Sequence, residues 1–219
     1  ANVKRLVPVW NLSLDNSANA SSQPLLIDGT MYIASHTHTM AVDPVTGRQK
    51  WRTPIDVPAD VAGFLCCGIH SRGLAALDGV LYRTTVDAHV VAISMKDGKQ
   101  VWKVKAADYK QGYSMTHAPL IAGGVLITGI SGGEYGTRGF INGWDLKTGE
   151  KRWVFQALAD DAWNAACLSG GASCPKENGP DFDFGAPVML VHHDKGDLLL
   201  AAQKSGEVFA LDPDKGGAV

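Results

Sequence analysis

Two adjacent cysteines, Cys66 and Cys67, are the sharpest chemical signal in this 219-residue chain. Neighbouring cysteines can join only through a small ring with a distorted peptide, an arrangement that tends to mark functional sites; two free buried thiols are the other reading. Six residues after Cys66 stands Arg72, a planar donor suited to a carboxylate and equally to an ordinary inter-strand ion pair. The second signal is the run Ser131-Gly132-Gly133-Glu134-Tyr135-Gly136-Thr137-Arg138-Gly139. Its small residues let a flat ligand approach the backbone, and Glu134 adds a hard oxygen suited to Ca²⁺. A Gly-rich hairpin loop without a ligand has the same composition. Thr116, fifteen residues before Ser131, and Lys204 on a late strand would be unremarkable alone.

These residues are spread over more than half of the chain, so a repeated scaffold must bring them together. The stretch Ala41-Val42-Asp43-Pro44-Val45-Thr46-Gly47-Arg48-Gln49-Lys50-Trp51 recurs with its glycine at Gly98 and Gly149 and its closing tryptophan at Trp102 and Trp153, 51 residues apart each time. A fourth copy begins at Ala210-Leu211-Asp212-Pro213-Asp214-Lys215-Gly216, and its tryptophan would fall at position 220. A fixed period in this range, with strand-like apolar runs between copies, predicts an all-β blade-repeat propeller. Within a unit, Gly supplies the positive φ of a tight turn and Trp a large surface to bury against a neighbouring blade.

Hairpins are expected at Pro24–Ile33 with Asp28-Gly29 as the turn, around Asp78-Gly79, and around Gly123-Gly124. Residues 1–15 read as the outer strand of another blade. The fourth unit is longer, and its extra residues fit best around Cys167 to Pro180, where Gly, Ser, Asn and Pro cluster. The reading is one partial propeller domain over residues 1–219, with about four blades.

At 45% hydrophobic, with 25 glycines and 10 prolines, the composition suits a turn-rich β protein. A formal charge of −2 gives no reason to expect a nucleic-acid partner, and no run of 18 apolar residues is present to span a bilayer. Cys167 and Cys174 flank a loop of the kind a disulfide closes, and two bridges would indicate an oxidising compartment such as the periplasm. No Cys-x-x-Cys-His run is present for covalent haem.

Taken together, these motifs resemble the quinoprotein alcohol dehydrogenases, eight-bladed propellers that bind pyrroloquinoline quinone (PQQ) and Ca²⁺. The repeat looks like that family's tryptophan-docking motif. By resemblance, Cys66-Cys67 supplies the vicinal disulfide that stacks on PQQ, and Arg72 lies near the quinone oxygens. Thr116 contacts a PQQ carboxylate, Ser131 with Gly132 and Gly133 holds the cofactor, Glu134 binds Ca²⁺, and Lys204 reaches the quinone. Residues 159–190 look most like the polyvinyl-alcohol dehydrogenase branch.

The sequence departs from the family pattern at three points. Ser21 stands where a cofactor-contacting glutamate is expected. Asn164 falls at the expected position of the catalytic aspartate, and an amide is no general base, which leaves Asp161 or Asp160 as substitutes. The segment bearing the stacking tryptophan and a Ca²⁺-binding asparagine has no counterpart after Trp153, so further blades are expected elsewhere, on a second chain or in missing sequence. The resemblance implies oxidation of a small or polymeric alcohol by hydride transfer to PQQ, with electrons passed to a cytochrome c-type acceptor in the periplasm. A non-catalytic propeller scaffold, or an incomplete and inactive version, is the alternative.

Overall fold

The computed structural model describes residues 3–14 and 21–219. The expected all-β repeat is present as four antiparallel sheets that follow one another along the chain. The first holds β1 (Leu25–Ile27), β2 (Thr30–Ala34), β3 (His38–Val42) and β4 (Gln49–Pro54). The second holds β5 (Ala75–Leu77), β6 (Val80–Thr85), β7 (His89–Ser94) and β8 (Gln100–Lys105). The third holds β9 (Leu120–Ala122), β10 (Val125–Gly129), β11 (Ile141–Asp145) and β12 (Lys151–Phe155). The fourth has three strands, β13 (Met189–Val191), β14 (Leu198–Ala202) and β15 (Val208–Leu211).

The local chemistry of each blade follows from its turn residues. Asp28 and Gly29 both have positive φ, 46° and 67°, which is the backbone that a two-residue hairpin matched to strand twist requires. Between the third and fourth strands, the Asp43 carboxylate accepts the N–H groups of Val45 and Thr46, and Asp145 does the same for Lys147 and Thr148. That self-bonding explains why Asp opens the docking turn. The ladder shifts register at the same place in each of three blades, at Ala41/Val42, Ala92/Ile93 and Gly143/Trp144. Such a bulge turns the strand and re-aims the side chains that follow, here toward the docking tryptophan.

Each tryptophan then crosses to the next blade. Trp51 Nε1 donates to Met95 O at 3.0 Å, Trp102 to Leu146 O at 3.1 Å, and Trp153 to Pro213 O at 3.1 Å. The ring lies over the turn glycine of that next blade: a Cβ on Gly98 would come within 2.6 Å of the Trp51 ring. Only a residue without a side chain leaves room. Trp153 is the buried member of the three, and truncating a buried tryptophan to alanine costs about 3–5 kcal/mol.

One expectation fails here. Residues 6–14 form no strand, and Val3–Arg5 is a single 3-10 turn; positions 1, 2 and 15 lie outside the described residues. The segment nevertheless carries a docking residue that the 51-residue step concealed, because Trp10 Nε1 donates to Pro44 O at 3.0 Å and its ring sits over Gly47. Trp10 precedes Trp51 by 41 residues, so the period misses it.

Apolar packing lies between neighbouring blades. Leu81, Val91 and Ile93 meet Tyr32 and Ala41 between the first and second; Trp144 and Leu126 meet Tyr82 and Val90 between the second and third; and Ile127, Ile141 and Trp153 meet Leu199 and Leu211 between the third and fourth. Arg83, 1% exposed, adds a polar cross-link by donating to Ser35 O, His38 O and Thr39 Oγ1 of the first blade. Burial lowers its pKa to about 10, so it stays cationic at neutral pH.

Because strands alternate in direction, the loop between the second and third strands of a blade and the link leading to the next blade emerge at the same end. Residues 130–140 and 203–207 are such loops; 55–74, 106–119 and 156–188 are such links. All the candidate site residues lie in these five segments.

Candidate active site

Eight of the residues singled out from the sequence line one cleft of about 240 Å³: Cys66, Cys67, Arg72, Thr116, Ser131, Gly132, Glu134 and Lys204. Gly133 stands immediately behind it, and Asp161 and Asn164 lie outside it. Ser21, at the glutamate position, is exposed and does not line the cleft.

One wall is the link from the first blade to the second. Cys66 and Cys67 are joined as a disulfide, which decides between the two readings of the pair. Arg72 is fixed to the next link twice, its N–H donating to Thr116 O at 3.0 Å and its guanidinium to the Thr116 hydroxyl. The neighbouring His117 is buried; its Nε2 accepts the Gly129 N–H at 2.9 Å, and burial, followed by the positive charge of Arg72, lowers its pKa to about 4. A neutral imidazole thus braces the start of the loop that follows β10.

That loop is the floor. Ser131 and Ser114 exchange backbone hydrogen bonds of 2.9 Å in each direction, which ties the floor to the link that carries Thr116. Gly132 has φ +127°, and a Cβ there would collide with Gly112 O and meet Thr137 Oγ1 at 3.1 Å. The glycine therefore keeps the floor flat. Gly132 and Gly133 both aim their N–H groups at Asp183 Oδ2, at 3.1 and 3.3 Å.

The far wall is acidic. Lys204 Nζ lies 2.7 Å from Asp181 Oδ2 and 3.3 Å from Glu134 Oε1. Burial raises the pKa of Asp181 and of Asp183, and the charge of Glu134 adds to both; hydrogen bonds from Lys204 and from the two glycine amides oppose the rise without cancelling it. Burial alone would lower Lys204, but its hydrogen bond to Asp181 and the surrounding carboxylates outweigh that and raise it. The sulfurs of Cys66 and Cys67 and a Glu134 carboxylate oxygen lie within 4.8 Å of one another, so both walls face one small volume.

Asp161, the substitute base, and Asn164, at the expected aspartate position, both make their bonds outside the cleft. Asp161 is 1% exposed, and its carboxylate accepts the N–H groups of Trp163, Asp181 and Phe182. Both oxygens are spent on backbone, away from the cleft. Asn164 caps the 3-10 turn Ala165–Leu168 by accepting from Ala166 N and donates to Ser173 O. Asp183 is the carboxylate at the cleft that residue order concealed. Two aspartates stand one residue apart at Asp181 and Asp183, and their order in the chain gives no sign of which one lines the cleft.

The donor set fits the two groups the resemblance implies. Asp181 Oδ1 is a buried oxygen with no hydrogen-bond partner among the described residues, and two carboxylates, Glu134 and Asp181, share a single ammonium. An all-oxygen acidic set of this kind suits a hard cation. For a planar anionic quinone the cleft offers a glycine floor, the Arg72 and Lys204 cations, and the hydroxyls of Thr116 and Ser131.

Residues 1–180 match the family described as PQQ: glucose/ethanol/alcohol dehydrogenase, beta-propeller domain. The quinoprotein alcohol dehydrogenase PedH of Pseudomonas putida is 40% identical over 156 residues, covering 70% of this chain and 26% of that protein. The lanthanide-dependent methanol dehydrogenase of Methylacidiphilum fumariolicum is 32% identical over 184 residues, 82% of this chain and 30% of the relative. The chain thus spans about a quarter to a third of the length of these relatives. Among solved structures, the quinohemoprotein alcohol dehydrogenase ADHIIG of Pseudomonas putida superposes with a TM-score of 0.75 at 24% identity, over 94% of this chain and 34% of that one. BamB of Moraxella catarrhalis, at 17% identity and a TM-score of 0.57 over 90% of this chain and 46% of that one, shares the fold alone. The chain belongs to the PQQ-dependent alcohol dehydrogenase family of β-propellers.

Proposed function

We propose that this chain forms the cofactor-binding part of an alcohol-oxidising quinoprotein, with PQQ in the cleft beside the Cys66–Cys67 disulfide and a hard cation against Glu134. The observation that carries the reading is the approach of the paired sulfurs and the Glu134 carboxylate to within 4.8 Å, in a cleft that also holds Arg72, Thr116, Ser131 and Lys204. The chemistry a bound quinone supplies is two-electron acceptance, the alcohol losing hydride from carbon and a proton from oxygen.

The residues supply the rest. Arg72 and Lys204 place fixed positive charge where the accepting oxygens gain negative charge. The hydroxyls of Thr116 and Ser131, above the flat floor that Gly132 provides, would orient the quinone in its plane. Asp183 takes the hydroxyl proton: burial raises its pKa first, and Glu134 raises it further, which makes it a stronger base than an exposed aspartate. The cation is Ca²⁺ or, as in the relative named for it, a lanthanide; the carboxylates of Glu134 and Asp181 would hold either. A small or polymeric alcohol as substrate, a cytochrome c-type acceptor and a periplasmic location belong to the same reading; three relatives are named as quinohemoproteins.

The test is reconstitution. Protein incubated with PQQ and either Ca²⁺ or La³⁺ should acquire bound-quinone absorbance and reduce an electron-accepting dye when given primary or secondary alcohols. Absence of quinone binding under both metals would leave a propeller scaffold; binding without turnover would point to an incomplete site.

A further inference from the structure

The link between β12 and β13 contains a carboxylate that neither the cleft nor the propeller core explains. Asp161 is 1% exposed and has no cation against it among the bonds of the described residues. Its partners are three backbone amides: Trp163 N at 3.3 Å and Asp181 N at 3.1 Å on Oδ1, and Phe182 N at 2.6 Å on Oδ2. The strap closes around it from the other side. Ala162 N donates to Asn178 O at 3.0 Å, and Gly179, with φ +65°, passes so close that a Cβ would lie 2.7 Å from both the Asp161 Cα and its Oδ1.

The residue held this way is itself in an uncommon conformation. Asp181 has φ +61°, a left-handed backbone that L side chains adopt at a cost and that persists where surroundings enforce it. With its N–H pinned on Asp161, Asp181 directs Oδ2 to Lys204 at 2.7 Å; two residues on, Asp183 receives Gly132 and Gly133. Phe182, between them, lines a separate hollow with Leu158 and Phe209.

We propose that Asp161 is a positioning residue for the acidic wall: by accepting the amides of Asp181 and Phe182 it sets the backbone from which Asp181 and Asp183 face the cation and the proton being moved. The consequence for catalysis rests on the reading of the cleft given above; the consequence for the loop does not. A carboxylate is required because both oxygens must accept, and an amide would turn an N–H donor toward one of the backbone N–H groups.

Amide hydrogen exchange on the metal-free chain tests the loop directly. In the unaltered protein the Asp181 and Phe182 amides should exchange at least about 100-fold more slowly than those of the neighbouring loop residues Lys176 and Glu177; equal rates would overturn the proposal. In Asp161→Asn, protection should fall at 181–183 while β10 and β11 keep theirs, and Gly179→Ala, which crowds the same carboxylate, should act in the same way. A rise spread evenly over β10 and β11, or a chain that no longer folds, would make Asp161 a general fold residue and overturn it. Ca²⁺ and La³⁺ titration supplies the second readout, with a loss of roughly 10–100-fold in affinity expected for Asp161→Asn. Unchanged affinity beside wild-type binding would overturn the role at the wall. If the exchange responds as stated and even the unaltered chain binds neither metal nor PQQ, the quinone reading fails while the positioning of the loop by Asp161 holds.

Discussion

Asp183 Oδ2 accepts the backbone N–H of Gly132 at 3.1 Å, joining two segments 51 residues apart in sequence. The bond fixes the acidic wall against the glycine floor. It also leaves a buried carboxylate facing the cleft with its pKa raised, first by burial.

Asp183→Asn should lower kcat by about 10²–10⁴-fold while leaving PQQ binding in place, since the amide still accepts from Gly132 but cannot take a proton. In the unaltered protein, activity requires the deprotonated carboxylate. The acid limb of kcat against pH should therefore lie above the ordinary aspartate value of 3.8, in the direction its burial dictates. A limb at or below 3.8 would count against Asp183 as the base.

Glu134→Gln removes one charge from the cation site and one partner of Lys204. Calorimetric titration with Ca²⁺ and La³⁺ should show affinity falling by more than the roughly 10–100-fold that loss of a supporting contact costs. Equal binding by the variant would move the cation elsewhere.

Replacing Cys66 and Cys67 with serine should separate stability from binding. A bridge between adjacent residues closes almost no loop, so denaturation should shift by less than about 0.5 kcal/mol. PQQ binding should weaken by about 2- to 10-fold, the flat disulfide face being lost, as order-of-magnitude stacking energies of about 0.5–1.5 kcal/mol imply. A large stability loss with unchanged binding would reverse the assignment.

His117 predicts a pH dependence of folding. Its folded pKa, about 4, is below the ordinary 6.5, so the unfolded chain takes up the proton first as pH falls. The contribution is present above pH 6.5, fades between 6.5 and 4, and is gone below about 4; a shift of this size corresponds to about 3 kcal/mol. Urea unfolding at pH 7 and pH 4.5 should show a shallower decline in His117→Gln than in the unaltered protein. Parallel slopes would mean that the imidazole titrates alike in both states.

Gly98→Ala should destabilise by about 2–5 kcal/mol, combining a left-handed backbone (about 1–2 kcal/mol) with the collision against Trp51 (about 1–3 kcal/mol). Gly79→Ala has the same sign of φ, and its Cβ meets nothing within 4 Å, so it should cost only about 1–2 kcal/mol. Thermal denaturation of the pair isolates the docking contact.

The sequence by itself determined the blade, because each blade is made by short-range rules. Asp-Gly hairpins, Asp-opened turns and a Gly-to-Trp step that returns every 51 residues are local in the chain and legible in order. It also marked eight residues of the cleft, since Cys66-Cys67 and Ser131-Gly132-Gly133-Glu134 carry their chemistry in neighbouring positions. Only the tertiary structure decided the contacts that span blades. Trp10 docks on Gly47 outside the period, Asp161 turns its oxygens to the backbone of Asp181 and Phe182, and Asp183 lines the cleft while Asn164 does not. The reason is physical: three aspartates within 23 residues of one link are equivalent in composition, and which is buried against amides and which faces the cleft is set by how the strap around Gly179 folds back on itself.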